Sequence, residues 1–178
     1  MALVCLIGRH GSGKSTIGAA LCAYGFQHTS VGVLRRLARA SQFPNDVPAS
    51  LMMAIRRERP GVPLTESTAR KLVEHASRTP NSVLDGFPSS VEHIELLPAD
   101  TIFCVVWTPA LVRELRLRHR SETTKRQWTP GLNSQRELVM PILLNTLRRS
   151  RQCIFVTNRS TCEVTIRNLL RKLDKVSN

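Results

Sequence analysis

Residues 1–16 read MALVCLIGRHGSGKST, and the order of events within that stretch decides the fold. An apolar run, Ala2–Ile7, has the length of a buried strand and enters a turn that holds three glycines. The turn matches G-x-x-x-x-G-K-[ST] at Gly8, Gly13, Lys14 and Ser15, with Gly11, Ser12 and Thr16 inside and beside it. Glycines permit backbone conformations that let successive N–H groups point inward at phosphate oxygens, and a following helix adds the positive end of its dipole. Lys14 supplies a mobile cation for β- and γ-phosphates, and the Ser15 hydroxyl is a ligand for Mg²⁺. The plain alternative is a glycine-rich turn that only links strand to helix. The motif in its strand–helix context predicts a nucleoside-triphosphate site.

The chain has 178 residues, enough for one domain with a real core. Its hydrophobic content of 42% fits a folded globular protein, while 4% aromatic residues leave the core to Leu, Val, Ile and Ala. None of the five cysteines forms a C-x-x-C pair, and Cys5, Cys104 and Cys153 lie in apolar runs. They read as reduced, buried hydrophobes, which predicts a cytoplasmic protein or, equally compatible, a nuclear one. The first apolar run is too short for a signal segment, and no run approaches a membrane span.

The net charge of +13 favours polyanionic partners, which nucleotides already are. Residues 109–126 alone carry six Lys or Arg (Arg113, Arg116, Arg118, Arg120, Lys125, Arg126) against Glu114 and Glu122. No zinc-finger, RRM or basic-zipper pattern accompanies this charge, so a nucleic-acid surface rests on charge alone and a solvated basic face is its rival.

Strand-like runs at Ala2–Ile7, Gln27–Thr29, Ser82–Leu84, Thr101–Val106 and Cys153–Val156 alternate with helix-like segments. The latter lie near 14–23, 32–41, 48–58, 65–78, 89–97, 109–120, 134–150 and 161–174. That alternation predicts an α/β, three-layer fold with a five-stranded parallel sheet. Ser160 reads as the cap of the last helix. Residues 30–78 hold helical segments without a strand and predict a substrate-holding insertion. Residues 121–133 are polar, carry Thr129-Pro130-Gly131 and predict a short mobile lid. The whole chain, 1–178, reads as a single domain.

Further motifs follow in a recognisable order. Ser30-Val31-Gly32-Val33-Leu34-Arg35-Arg36 resembles the S-x-G-D-x-L-R segment of adenylate kinases and related nucleoside monophosphate kinases. Gly61–Thr65 is similar to their G-x-x-V-[PS] turn, with Leu64 in the valine place, and Leu84-Asp85-Gly86-Phe87-Pro88 is identical to their L-D-G-F-P. Pro109 followed by Arg116 and Arg120 looks like the family's helix leading into the lid.

This resemblance spans the chain. It implies transfer of the ATP γ-phosphoryl group to a nucleoside monophosphate with Mg²⁺, by a monomer with no membrane partner. Carried over by position, it gives Lys14 the phosphates, Ser15 the metal and Asp85 the metal's waters. Arg36 receives the acceptor phosphate, Arg116 a place near the ATP base, and Arg120 the phosphate charge. Ser30, Gly32, Leu64, Gly86, Ser89 and His93 fall on the acceptor side.

The chemistry suits these residue types. A loose phosphoryl-transfer transition state needs positioning and positive charge, and an ionised phosphate acceptor needs no general base. Bland rivals are a turn-capping Asp85 and an Arg116–Arg120 pair on a solvated helix face. Trp107 reads as core, and His28 and His75 as surface residues.

The sequence also departs from the family. Ser89 stands where an arginine grips the acceptor phosphate, His93 replaces the glutamine that reads the acceptor base, and Val33 replaces an aspartate. Ser121-Glu122-Thr123-Thr124 is a poor match to the family's lid motif, and Arg126 or Arg136 is left to supply its cation. Two other readings therefore stand beside the kinase: an ATP-binding, kinase-like regulatory protein with lost acceptor handling, and a nucleic-acid-associated ATPase.

Overall fold

A computed structural model describes residues 3–124, 130–150, 152–159 and 161–177, with the side chains of 130–138, 150 and 177 left aside. Five strands form one parallel sheet: β1 (Val4–Ile7), β2 (Gln27–Ser30), β3 (Ser82–Asp85), β4 (Ile102–Trp107) and β5 (Gln152–Thr157). Their spatial order is β2-β3-β1-β4-β5. β1 is central, with Leu6 opposite Asp85 on one side and Cys104 on the other, while Ser30 lies opposite Asp85 across the next pair. Register therefore delivers the turn after β1, Asp85 and Ser30 to the same carboxyl edge of the sheet, where ligands of open α/β sheets bind.

Among the described residues seven α-helices accompany the sheet: α1 (Lys14–Leu21), α2 (Val31–Arg39), α3 (Ala49–Arg57), α4 (Glu66–Ser77), α5 (Ala110–Thr123), α6 (Pro130–Ser150) and α7 (Cys162–Ser177). Alternation along β1 sends Cys5 and Ile7 to one face, where α2, α3, α4 and α6 contribute Leu34, Met52, Leu72 and Leu147. Val4 and Leu6 point to the other face, against Ile17 and Leu21 of α1 and Leu169 and Leu173 of α7. Both faces are covered, which is why the inner strands β1 and β4 read as apolar runs, whereas the edge strand β2 is polar. Burial pushes the Cys104 thiol up to about 12 and raises that of Cys5 as well. Both are packing groups, not nucleophiles.

Several expectations change. The 89–97 segment forms only a 3₁₀ turn, Glu92–Ile94, closed by short bonds from Ile94 N–H to Val91 O and from Leu97 N–H to Ile94 O. The segment expected to be irregular, 121–133, is helical at both ends. Ser121, Thr123 and Thr124 donate their hydroxyls to Arg118 O, His119 O and Arg120 O, which satisfies polar side chains on the helix itself. Pro130 opens α6, where its missing N–H costs nothing. Arg126 and the side chain of Arg136 lie outside the described residues, as does Ser160. At the start of α7 Thr161 Oγ1 accepts from Val164 N–H. Trp107, expected in the core, is 53% exposed because β4 ends there, and His28 and His75 are half-buried, not superficial. His28 packs over Gly18 of α1, where any Cβ would meet the imidazole. Among the described residues no helix is long and apolar enough to cross a membrane.

Candidate active site

A cavity of about 880 Å³ opens at the carboxyl edge of the sheet. That lies at the upper end of the roughly 300–1,000 Å³ usual for small-molecule clefts. Gly8, Gly11, Gly13, Lys14, Ser15 and Thr16 line one end, and Ser30, Gly32, Arg36, Gly86 and Ser89 line the other. Asp85 lies between them.

The loop after β1 takes its shape from its glycines and from what packs beneath it. Gly13 has φ 90°, a left-handed conformation, and a Cβ there would run into the Asn158 amide. At Gly11 a Cβ would come within 2.8 Å of Arg113 O in α5. Lys14 Nζ donates to Gly8 O at 2.7 Å and Arg9 O at 2.9 Å, and approaches Ser12 Oγ at 3.3 Å. The ammonium thus sits inside the mouth of the loop on a flexible stem that can turn toward a phosphate. Ser12 itself is buried under the loop.

The floor of the loop was not legible as functional in the sequence. Asn158 Nδ2 donates to Ser12 O at 2.8 Å, Thr108 Oγ1 donates to the same carbonyl at 3.1 Å, and Thr165 Oγ1 donates to Asn158 Oδ1 at 3.3 Å. All three side chains are buried. The signal available was position: Asn158 follows directly on the carboxyl end of β5, the edge on which sites collect. Replacing Asn158 with alanine leaves the buried Ser12 carbonyl one donor short. A loss of about 1–3 kcal/mol of stability is expected, with weaker ATP binding, measured by urea unfolding and by nucleotide titration.

Asp85 ends β3, is 3% exposed, and accepts on Oδ2 from Ser15 Oγ at 2.5 Å and from Ser30 Oγ at 3.2 Å. A hydroxyl and a carboxylate this close form a hard-oxygen set that fits Mg²⁺, which takes one or two carboxylate partners together with phosphate oxygens and water. Ser15 and Asp85 would hold the ion, which would supply charge neutralisation at the phosphates. Instead of capping a turn, the Asp85 carboxylate accepts from two side chains of the site, those of Ser15 and Ser30.

Cations dominate the remaining wall. Arg116 and Arg120 are half-buried and line the cavity, whereas Leu115, Arg118 and His119 on the same helix are exposed. The pair faces the site instead of solvent. Arg116 Nη1 is buried without a hydrogen-bond partner among the described residues and would lie 3.4 Å from a Cβ built on Gly13. A buried guanidinium nitrogen beside this loop is a donor that an anion could satisfy. On α2, Arg35 turns inward, 8% exposed, and donates to Val62 O at 2.8 Å, while Arg36 stays exposed along the cavity. Asp85 is the one carboxylate among the described lining residues.

His93 and Leu64 sit behind this wall. His93 is buried, stacks on Phe87 with centroids 4.7 Å apart, and meets Leu64 O through Nε2 at 3.0 Å. A carbonyl only accepts, so Nε2 carries the proton and Nδ1 accepts from Ser89 N–H at 3.3 Å. Neither ring nitrogen is directed to the cavity, in contrast to a base-reading role; His93 instead ties the Asp85–Ser89 turn to Leu64. Leu64 is likewise core, not lining.

Burial lowers the His93 pKa below its ordinary 6.5, against a smaller opposing effect of the Leu64 carbonyl, and burial also lowers those of His28 and His75. A lowered folded value means the unfolded chain binds the proton more readily. The stabilisation is therefore complete above about pH 6.5 and is lost as pH falls from there toward the folded values. Stability is expected to decline in that window, and His93→Gln to flatten the decline, as read from urea midpoints between pH 7 and 5.

No protein-family model matches the chain, and no curated protein matches it in sequence. Solved structures match in fold. A sugar kinase from Janibacter sp. HTCC2649, in an unliganded structure, aligns with TM-score 0.55 and 18% identity over 98% of this chain and 95% of its own. A gluconokinase from Sinorhizobium meliloti 1021 aligns with TM-score 0.57 and 19% identity over 98% of this chain and 93% of its own. Identity at this level speaks for the architecture alone: the chain has the α/β fold of phosphate-loop kinases, with a five-stranded parallel sheet and helices on both faces.

Proposed function

We propose that this protein transfers the γ-phosphoryl group of ATP, with Mg²⁺, to a small anionic acceptor, and that the acceptor is a nucleoside monophosphate. The observation carrying this reading is one cavity shared by a donor end and an acceptor end. The phosphate-type loop lies at the first, Ser30 and Arg36 at the second, and Asp85 bonds to Ser15 and Ser30 from both sides. Two polyanions repel strongly at the distance of transfer. Unit charges 4 Å apart interact by about 4 kcal/mol at an effective dielectric of 20. Lys14, Arg116 and Arg120 offset that repulsion and stabilise the charge of the transferring group.

A second acceptor class has its own support. Ser89 brings no charge to the acceptor end, and the fold neighbours include a gluconokinase. A sugar acid offers a hydroxyl, which must lose a proton, and on this reading Asp85, the one carboxylate among the described lining residues, would take it. The resemblance in Leu84–Pro88 and Ser30–Arg36 favours the monophosphate.

The test is a panel of ribo- and deoxyribonucleoside monophosphates and sugar acids, assayed for acceptor-dependent ADP production with ATP and Mg²⁺. Turnover with one monophosphate is expected, and turnover with a sugar acid alone would replace the acceptor. ATP binding without turnover on any acceptor would favour the regulatory reading. Hydrolysis stimulated by RNA or DNA in a salt-dependent manner would favour the nucleic-acid one.

A further inference from the structure

Three arginines of α2 line the cavity, Arg35, Arg36 and Arg39, and two of them are exposed to it. Arg36 and Arg39 lie three apart, hence side by side on one helix face, and both line the cavity. Arg39 has no hydrogen-bond or ion-pair partner among the described residues. Arg35 lines the cavity too, but it is buried and its guanidinium is bonded to Val62 O. Ser89 lines the same cavity and contributes only a hydroxyl, held near His93 Nδ1 at 3.3 Å.

The geometry points to an anion clamp built from Arg36 and Arg39, in which Arg39 carries the positive charge that Ser89 does not provide. Its ligand is the compact anionic group of the acceptor, a phosphate or a carboxylate, and the inference rests on the reading of the acceptor as an anion. Guanidinium forks bind such oxyanions in two-point fashion, so adjacent arginines on one helix can grip an oxygen each without help from the far wall. The rival account is local: both residues occupy the last turn of α2, where cations complement the helix dipole whether or not a ligand is present. Ligand dependence separates the two.

The experiment saturates the protein with β,γ-imido-ATP and Mg²⁺, so that the loop is filled, and titrates inorganic phosphate by calorimetry. Arg39→Gln is expected to weaken phosphate binding about tenfold or more, with β,γ-imido-ATP affinity unchanged within twofold. Arg39→Lys should fall between, and Arg39→Gln combined with Ser89→Arg should recover affinity by restoring the charge from the other side. Wild-type phosphate affinity in Arg39→Gln, equal loss of phosphate and β,γ-imido-ATP binding, or no phosphate binding by the unaltered protein would each overturn the clamp. Parallel titrations with AMP, CMP, GMP, UMP and gluconate distinguish phosphate from carboxylate as the bound group. Arg39-dependent phosphate binding with no turnover on any acceptor would sustain the clamp and remove the transfer reading.

Discussion

Lys14→Ala is expected to lower the rate of phosphoryl transfer by about 10²–10³-fold, the usual cost of removing one preorganised donor from developing oxyanion charge. Lys14 is the one lysine among the described residues lining the cavity, and its ammonium already lies within the loop that would cradle the phosphates. The arginines of α5 stand elsewhere on the loop: Arg116 Nη1 lies beside Gly13, and Arg113 Nη1 donates to His10 O at 3.2 Å. Stability should change little. The bonds Lys14 makes are to partly exposed loop carbonyls that water can serve, so a loss within about 1 kcal/mol is expected. Steady-state kinetics beside a thermal melt checks both halves. A variant that melts as the parent does yet keeps a third of its activity would show that Lys14 does not act on the transferring group.

Asp85→Asn should lower activity about 10–100-fold, in the range found when a group that orients a metal's ligands is changed. The substitution keeps the size of the side chain but removes its negative charge and places N–H donors where two hydroxyls, from Ser15 and Ser30, now donate. Ser15 would turn, and the site would hold Mg²⁺ less well. The expected signature is a Mg²⁺ activation curve displaced to higher concentration, with part of the loss recovered at saturating metal. An unchanged curve together with lowered activity would mean that Asp85 serves as the acceptor's proton-taking base instead of as a metal partner, which is what a sugar-acid acceptor requires.

How much of this was legible in the sequence depends on how local each feature is. The loop and the strands could be read directly, since glycine spacing and apolar runs are consequences of contacts a few residues apart or of burial on both faces. That Asp85 and Ser15 belong to one site was implied by the family resemblance, and the register of β1 with β3 gives the physical reason they meet. The inward set of Arg116 and Arg120 was open to two readings, because four-residue spacing puts side chains on one face without saying which face is covered. Asn158 escaped because its partner, the Ser12 carbonyl, is 146 residues away and has no signature in a side-chain pattern. His93 was misplaced for a related reason. A residue aligned to a base-reading position still turns away when the Leu64 carbonyl and the Ser89 N–H offer its ring two bonds inside the protein. The 89–97 segment shows helical periodicity, yet the bonds that form there close only 3₁₀ turns. Arg39 lay outside every motif and is marked only by where α2 places it.

The measurement that bears most directly on the two-ended site follows the phosphorus itself. ATP labelled at the γ-phosphate is incubated with the protein, Mg²⁺ and the acceptor panel, and the products are separated and identified. The two-ended site predicts label on one organic acceptor at a rate far above release of inorganic phosphate, with both signals lost in Lys14→Ala. Label appearing only as inorganic phosphate, at a rate no acceptor alters, would contradict it.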